Sequence, residues 1–290
     1  MHIPTKMKLL NIPLVILAVT MTATEAQEIT PTTVESFSFD ADFFNNGREG
    51  SYGVIVLTGS GGGKANYSAE RIAEMGFDVL SLAYFDRNGT SIVPETLELI
   101  PLEYFEEPKQ WLMDRPNTRN DGVILYGLSK GAELSLVLAS HDSDYEAVIA
   151  LAPSHVVWQG NPKNFANLLS SPSSWSQGGQ GLPFVPYVSN EERDQLGFSN
   201  RHAASLTNNS AVEEARIKVE DISGPVLLLS GSSDNNWPSS SMGAEICKTI
   251  NSSKPESCSH IIYEGGDHLL SNFQSESFAA VESFLNLVSP

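Results

Sequence analysis

Val123-Ile124-Leu125-Tyr126-Gly127-Leu128-Ser129-Lys130-Gly131-Ala132-Glu133-Leu134-Ser135-Leu136-Val137-Leu138-Ala139 is the stretch that decides the fold. Its first four residues are an apolar, β-favouring run. From Ala132 onward the sequence reads as a helix. Between them lies Gly-x-Ser-x-Gly, a pattern that gains meaning from standing between a strand and a helix. A serine held at so sharp a turn needs glycine on either side, because a Cβ there would block the neighbouring backbone. Ser129 Oγ is then expected to project above a sheet, over a helix N-terminus that favours developing negative charge. The plainer alternative is an ordinary strand–helix turn with a serine N-cap.

A serine nucleophile needs a base and an orienting acid, and this pattern places them later in the chain, acid first. Pro225-Val226-Leu227-Leu228-Leu229-Ser230-Gly231 reads as a buried strand that runs into Ser232-Ser233-Asp234-Asn235-Asn236-Trp237. His260-Ile261-Ile262-Tyr263-Glu264-Gly265-Gly266-Asp267-His268 reads as a last strand, followed by a final helix. Ser129, Asp234 and His268 are therefore the expected nucleophile, acid and base: His268 takes the serine proton while Asp234 fixes the imidazole tautomer. Asp267 is the rival acid, but as the neighbour of His268 it is expected to cap the last helix or face solvent. Asp221 precedes its strand rather than following it. Among the other histidines His155, just after Ala147–Ala152, ranks second.

An oxyanion needs donors. One is expected from the N–H of Lys130, the residue after the nucleophile. The other is expected from the loop Ser60-Gly61-Gly62-Gly63, after the strand Gly53–Gly59, with Gly61 and Gly62 as candidates. The same loop does not read as a phosphate cradle. It lacks the Gly-Lys-[Ser/Thr] ending of a Walker loop, and the dinucleotide Gly-x-Gly-x-x-Gly spacing does not fit. No metal site and no cofactor is expected, since two cysteines without clustered histidines do not fill a tetrahedral shell.

The rest of the chain alternates β and α. Strands are expected at 53–58, 78–84, 122–127, 147–152, 225–230 and 260–264, with helices near 66–75, 103–113, 130–140, 239–250 and 275–287. Continuous apolar strands suit a parallel sheet covered on both faces, joined by right-handed crossovers. The fold class is accordingly α/β: an α/β-hydrolase fold with a mostly parallel, doubly wound sheet. Residues 155–216 interrupt the alternation with Ser, Asn, Gly and Pro, and read as a cap over the site. His155, Trp158 and Trp237 are the candidate pocket residues, and Trp175, Phe184 and Tyr187 are further aromatics of the cap. The bland reading is an irregular surface segment with a small core of its own.

The 290 residues fit one α/β domain, residues 27–290, and 41% hydrophobic content supplies its core. A net charge of −18 argues against nucleic acid or an anionic membrane surface as partner. Lys6 and Lys8 precede the apolar run Ile12–Val19 and small residues ending at Ala26, the outline of a secretory signal peptide over 1–26. The apolar run is short for a membrane span, so no span is expected in the mature chain. An uncleaved anchor is the alternative. Export would allow Cys247 and Cys258 to pair as a disulfide; two reduced core thiols are the other reading.

From about Gly53 to its end the chain resembles the C-terminal catalytic domain of the acyl-CoA thioesterase and bile acid-CoA:amino acid N-acyltransferase family. The resemblance rests on the glycine loop and on Val79-Leu80-Ser81-Leu82-Ala83-Tyr84-Phe85. It extends through Ile100-Pro101-Leu102-Glu103-Tyr104-Phe105-Glu106 and Gly127-Leu128-Ser129-Lys130-Gly131-Ala132-Glu133. Pro153-Ser154-His155-Val156-Val157-Trp158-Gln159-Gly160, Leu182-Pro183-Phe184-Val185-Pro186-Tyr187, Asp234-Asn235-Asn236-Trp237-Pro238-Ser239 and Gly266-Asp267-His268 complete it. It implies the same roles for Ser129, Asp234 and His268, and a small-molecule acyl thioester or ester as substrate. Full-length members carry an N-terminal β-sandwich. Only Gln27–Tyr52 separate the expected signal from the first core strand, so this chain is expected to lack it. Amidating members use cysteine as nucleophile, so serine here implies transfer to water. The sequence thus points to a hydrolase of acyl thioesters or esters. The alternatives are a dienelactone-type esterase or serine peptidase, an N-acyltransferase, and a non-catalytic binding protein on the same fold.

Overall fold

Ser51-Tyr52-Gly53-Val54-Ile55-Val56-Leu57 is buried at every residue. A run this apolar, without polar alternation, belongs to a strand covered on both faces. The computed structural model describes residues 29–289, and the expected signal segment lies outside them. In chain order the strands are β1 (Thr32–Thr33), β2 (Asp40–Phe44), β3 (Ser51–Leu57), β4 (Val79–Ala83), β5 (Ile100–Pro101), β6 (Thr118–Leu128), β7 (Tyr145–Leu151), β8 (Trp175–Gln177), β9 (Gln180–Gly181), β10 (Val226–Gly231) and β11 (Cys258–Tyr263). The helices are α1 (Asn66–Ala73), α2 (Glu106–Met113), α3 (Lys130–His141), α4 (Asn190–Gln195), α5 (Arg201–Ser205), α6 (Asn209–Glu214), α7 (Ser239–Ser253) and α8 (Gln274–Val288).

Eight strands form one sheet in the order β1-β2-β4-β3-β6-β7-β10-β11, and β5, β8 and β9 form a small second sheet. From β4 to β11 every pairing is parallel, and β1 and β2 add an antiparallel edge. Period-2 alternation divides the core. Val54, Val56, Ile124 and Tyr126 face a layer built with Ile72, Phe278 and Leu285 of α1 and α8. Ile55, Leu57 and Leu125 face Leu112, Leu134 and Ile246 of α2, α3 and α7.

The chain builds outward from β3 in both directions, first to β4 and later to β6. At such a switch point the loops leaving two neighbouring strands diverge and open a crevice at the C-terminal edge. Here those loops are the glycine loop after β3 and the Ser129 turn after β6. A Cβ on Gly59 would lie 3.2 Å from Ser129 Cβ, so the two turns are in contact.

All six expected core strands are present. β1 and β2 were not expected: Asp40-Ala41-Asp42-Phe43-Phe44 carries two carboxylates and reads as polar. Asp42 is accommodated by Lys64 Nζ at 2.8 Å and Asn66 Nδ2 at 2.7 Å. Segment 155–216 holds β8, β9 and the short helices α4, α5 and α6. Val156, Trp158, Leu168, Val185 and Tyr187 form its own apolar cluster, completed by Trp237 and Met242. A disulfide joins Cys247 of α7 to Cys258 of β11, with Cα atoms 5.1 Å apart.

Candidate active site

The turn between β6 and α3 works only with glycine at both flanks. A Cβ on Gly127 would sit 2.1 Å from Gly131 O, and one on Gly131 would sit 2.3 Å from Leu57 O and 2.4 Å from Thr58 O. Helix α3 therefore starts directly against the ends of β3 and β6. Ser129 adopts φ 54° and ψ −113°, a conformation that costs a non-glycine residue roughly 1–3 kcal/mol and persists only where surrounding structure imposes it. Its N–H donates to Leu151 O at 2.8 Å and its carbonyl accepts from Glu133 N–H at 3.0 Å. These bonds hold the turn and leave the hydroxyl free to point away from the sheet.

Parallel pairing of β10 with β11 brings the other two groups beside it. Ser232 N–H donates to Tyr263 O and Ser233 N–H to Gly266 O, both at 2.9 Å, so the two strand-end loops run together. His268 Nε2 lies 2.8 Å from Ser129 Oγ, and His268 Nδ1 lies 2.8 Å from Asp234 Oδ2. Asp234 is 2% and His268 12% exposed at the side chain, so this hydrogen-bond chain is shielded from bulk water.

Asp234 accepts more than the imidazole. Ser239 Oγ donates to Oδ2 at 2.6 Å, and the Asn236 and Trp237 N–H groups donate to Oδ1 at 2.9 and 3.2 Å. Burial raises the carboxyl pKa, but the His268, Ser239 and backbone hydrogen bonds outweigh it and hold Asp234 below the ordinary carboxylate value. Asp234 is thus kept as an anion facing Nδ1, which fixes the proton there and leaves Nε2 as an acceptor for the serine hydroxyl. Trp237 ties this loop to the end of β7 through its Nε1–H to Ala152 O, 3.1 Å, and packs edge-on to His268 at 5.5 Å.

The rival groups lie elsewhere. Asp267 is exposed and accepts Ser271 N–H at 2.7 Å. His155 lies outside the cavity beside Ser129, and burial pushes its pKa down to about 4. His260 pairs with Ser230 Oγ at 2.7 Å on the flank of β10. Ser239 was not anticipated as a site residue. Its signal was present as the serine opening a helix five residues after the acid.

Lys130 N–H is the first amide of α3 and has no intrahelical acceptor; it lies beside Ser129. The glycine loop differs from expectation. Gly62 N–H already donates to Gly59 O at 3.2 Å, and Gly63 N–H to Phe85 O at 2.8 Å. Gly62 is therefore occupied in closing its own turn. The N–H groups of Ser60 and Gly61 have no hydrogen-bond acceptor among the described residues, and both residues border the cavity that touches Ser129 and His268. Of the expected pair, Gly61 keeps an N–H that is unpaired among the described residues and Gly62 does not, and Ser60 has one as well. The Lys130 ammonium is buried on Glu133, 2.8 and 2.7 Å from its two oxygens, and Glu133 also accepts from Trp158 N–H and Trp175 Nε1–H. Lys130 thus offers its backbone to the site and not its charge.

Two spaces open beside Ser129. One, of about 300 Å³, is walled by Trp237, Tyr187, His202, Phe165 and Leu168 among others. The other, of about 320 Å³, lies along Thr58–Gly61, Leu128 and Leu269. Of the expected pocket residues Trp237 lines the first. Trp158 does not: it is fully buried, stacked behind the wall on Tyr187 and Trp237. His202 occupies the wall instead, edge-on to Trp158, Tyr187 and Trp237. Burial lowers its pKa to about 4, so it is a neutral wall residue near pH 7. Burial of a large apolar ring is the cheaper arrangement, and an aromatic-rich sequence does not reveal which rings line a wall and which support it. A serine hydroxyl 2.8 Å from an imidazole, beside two adjoining spaces and unpaired backbone N–H groups, is an arrangement that can carry out acyl transfer.

Residues 100–273 match the family model described as "BAAT / Acyl-CoA thioester hydrolase C terminal", a span that includes Ser129, Asp234 and His268. The human mitochondrial acyl-coenzyme A thioesterase 2 is 31% identical over 204 residues, covering 68% of this chain and 38% of its own length. Mouse acyl-coenzyme A thioesterase 5 is 28% identical over 235 residues, 81% of this chain and 52% of its own. The chain spans about half the length of the curated relatives it matches, or less. A puromycin-hydrolyzing peptidase from Mycobacterium tuberculosis superposes with a TM-score of 0.62 at 14% identity, covering 90% of this chain and 39% of that one. Dienelactone hydrolase from Anabaena variabilis superposes at 0.52 and 16% identity, covering 89% of this chain and 95% of that one. At such identities the likeness concerns fold alone.

Proposed function

The chain belongs to the BAAT / acyl-CoA thioester hydrolase C-terminal family, and on that premise we propose that it is a serine hydrolase cleaving an acyl thioester, or a carboxylic ester, through an acyl-Ser129 intermediate. The observation that carries this reading is the unbroken hydrogen-bond chain Ser129–His268–Asp234, with 2.8 Å at both links. Ser129 Oγ attacks the acyl carbonyl as His268 Nε2 takes its proton. Asp234 stabilises the imidazolium without being protonated. The tetrahedral oxyanion is met by Lys130 N–H and the free N–H groups of Ser60 and Gly61, donors of a kind whose loss typically costs about 10²–10³-fold in rate. Collapse expels the thiol or alcohol, which receives the proton from His268. Water then enters, gives a proton to Nε2 and attacks the acyl-serine. The free acid leaves and Ser129 regains its hydrogen.

Export is part of the same proposal. The basic, then apolar, N-terminal sequence supports it, as does the Cys247–Cys258 disulfide, which persists in oxidising compartments.

The test is labelling with a fluorophosphonate followed by peptide mapping, beside a panel of acyl-CoA, p-nitrophenyl ester and peptide substrates. The expected result is modification of Ser129, abolished in Ser129→Ala, with turnover of thioesters or esters. A chain that takes no label and turns over nothing in the panel would be a binding protein on a hydrolase fold.

A further inference from the structure

The cavity beside Ser129 that Trp237 and Tyr187 wall has an electrostatic character opposite to that of the chain. Acidic residues outnumber basic ones by 35 to 17 in the sequence, yet no carboxylate lines this cavity, whereas Arg87 and Arg201 both do. Their hydrogen bonds go only to neutral acceptors. Arg87 donates Nε–H to Ser60 O at 3.0 Å and Nη1–H to Pro162 O at 3.2 Å, and Arg201 donates Nη2–H to Asn190 Oδ1 at 2.6 Å. Arg87 Nη2 and Arg201 Nε are buried and have no partner among the described residues. Lys130, the third basic residue on the wall, is neutralised by Glu133. Two guanidinium groups with unmet, buried donors are costly to a fold unless something supplies acceptors. A planar fork of N–H groups suits a carboxylate in particular.

We propose that Arg87 and Arg201 form a subsite for a small anion, a carboxylate within a few bonds of the scissile carbonyl, so that the preferred substrates are short acidic thioesters or esters. This rests on the hydrolase reading above. The distance to the nucleophile sets the class. Both arginines share one cavity of about 300 Å³ with Ser129, so an anion held by them lies close to the reacting carbon. The phosphates of CoA sit at the far end of the pantetheine arm, beyond the reach of so small a space. A carboxylate on the acyl group and one on the leaving group present the same chemistry to this wall. Arg87 also braces Ser60 in the oxyanion loop, so Arg201, which lacks that contact, is the discriminating position.

The experiment measures binding to the mature chain carrying Ser129→Ala, by calorimetry and by tryptophan fluorescence, since Trp237 lines the cavity. Three probes are compared: neutral S-ethyl butanethioate, the mono-S-ethyl thioester of glutaric acid, and the butyryl thioester of 3-mercaptopropionic acid. At least one acidic probe is expected to bind about tenfold or more tightly than the neutral one, as a charge-assisted hydrogen bond provides, and the tighter of the two names the side that carries the anion. Adding Arg201→Gln should reduce that advantage to about threefold or less, Arg201→Lys should retain part of it, and thermal melting checks that each variant is folded. Acidic probes that bind no better than the neutral one would overturn the proposal. So would an advantage that survives both Arg201→Gln and Arg87→Gln. Turnover by the wild-type chain is scored separately: tight acidic binding without hydrolysis would overturn the hydrolase reading and leave the subsite standing, and hydrolysis without acidic preference would do the reverse.

Discussion

Gly131→Ala tests the packing that forces Ser129 into its turn. The added Cβ would lie 2.3 Å from Leu57 O and 2.4 Å from Thr58 O, where real Cβ contacts essentially never fall below 3.0 Å. Both obstacles are backbone at the end of β3, a central strand of the sheet, so no side chain can swing aside. The start of α3 must retreat by at least about 0.7 Å, and this scale of overpacking typically costs about 1–3 kcal/mol. For a chain of this size that lowers Tm by roughly 3–10 °C. The retreat also carries Lys130 N–H away from the oxyanion and tilts Ser129 Oγ relative to His268. A misplacement of about 1 Å in a catalytic group can cost about 10²-fold, so kcat/KM on a p-nitrophenyl ester is expected to fall by a few tens-fold or more. Gly61→Ala serves as the control for stability, since a Cβ there meets nothing within 4 Å and Tm should not move. A Gly131→Ala protein that melts with the wild type and retains activity within about threefold would refute the close-approach argument.

Other outcomes are equally specific. Asp234→Asn should cost far more activity than Asp267→Asn, on the order of 10⁴-fold if the imidazole tautomer is lost; a more damaging Asp267→Asn would reassign the acid. Ser239→Ala removes one of the bonds that hold the Asp234 pKa down, at a cost of about 1.5–3 kcal/mol in that interaction, and should reduce kcat/KM by about tenfold. The sign of its pH effect follows. The ionised Asp234 stabilises the fold above the ordinary carboxylate pKa, and that contribution is lost as pH falls through the depressed native value. Without Ser239 the native pKa rises, so the loss in acid unfolding should begin at higher pH; unchanged activity and acid stability would make Ser239 a bystander. Protein recovered from its own host should begin near Gln27 with Cys247 and Cys258 oxidised, and reduction of that disulfide should cost about 2–3 kcal/mol. An intact Met1 with two free thiols in the mass spectrum would place the enzyme in a reducing compartment. Millimolar glycine or taurine added to a thioester assay should leave free acid as the dominant product, because serine stands where amidating members of the family use cysteine; abundant N-acyl product would make the protein an acyltransferase.

The sequence by itself determined the fold class and singled out Ser129, Asp234 and His268, which the structure brings within hydrogen-bond reach of one another. Continuous apolar runs such as Val54–Leu57 can be satisfied only by a covered parallel strand, and a Gly-x-Ser-x-Gly between strand and helix admits few backbones. Asp234 and His268 could be read because each follows within a few residues of a strand, β10 and β11, and parallel pairing places the ends of such strands on one edge of the sheet. Those signals are local and obey a period or a chain order. Only the tertiary structure decided the rest, because it depends on which groups meet across distant segments. Gly62 looked as free as Gly61 until its N–H was found on Gly59 O. Trp158 looked as suited to a pocket as Trp237, and differs from it only in lying one layer deeper. Asp40 and Asp42 hid a strand, since the cations that neutralise a carboxylate come from elsewhere in the chain. Arg87 and Arg201 are 114 residues apart in number and face one cavity because segment 155–216 folds back over the switch point. Charge in a closed space is set by what surrounds it, and no linear pattern records that.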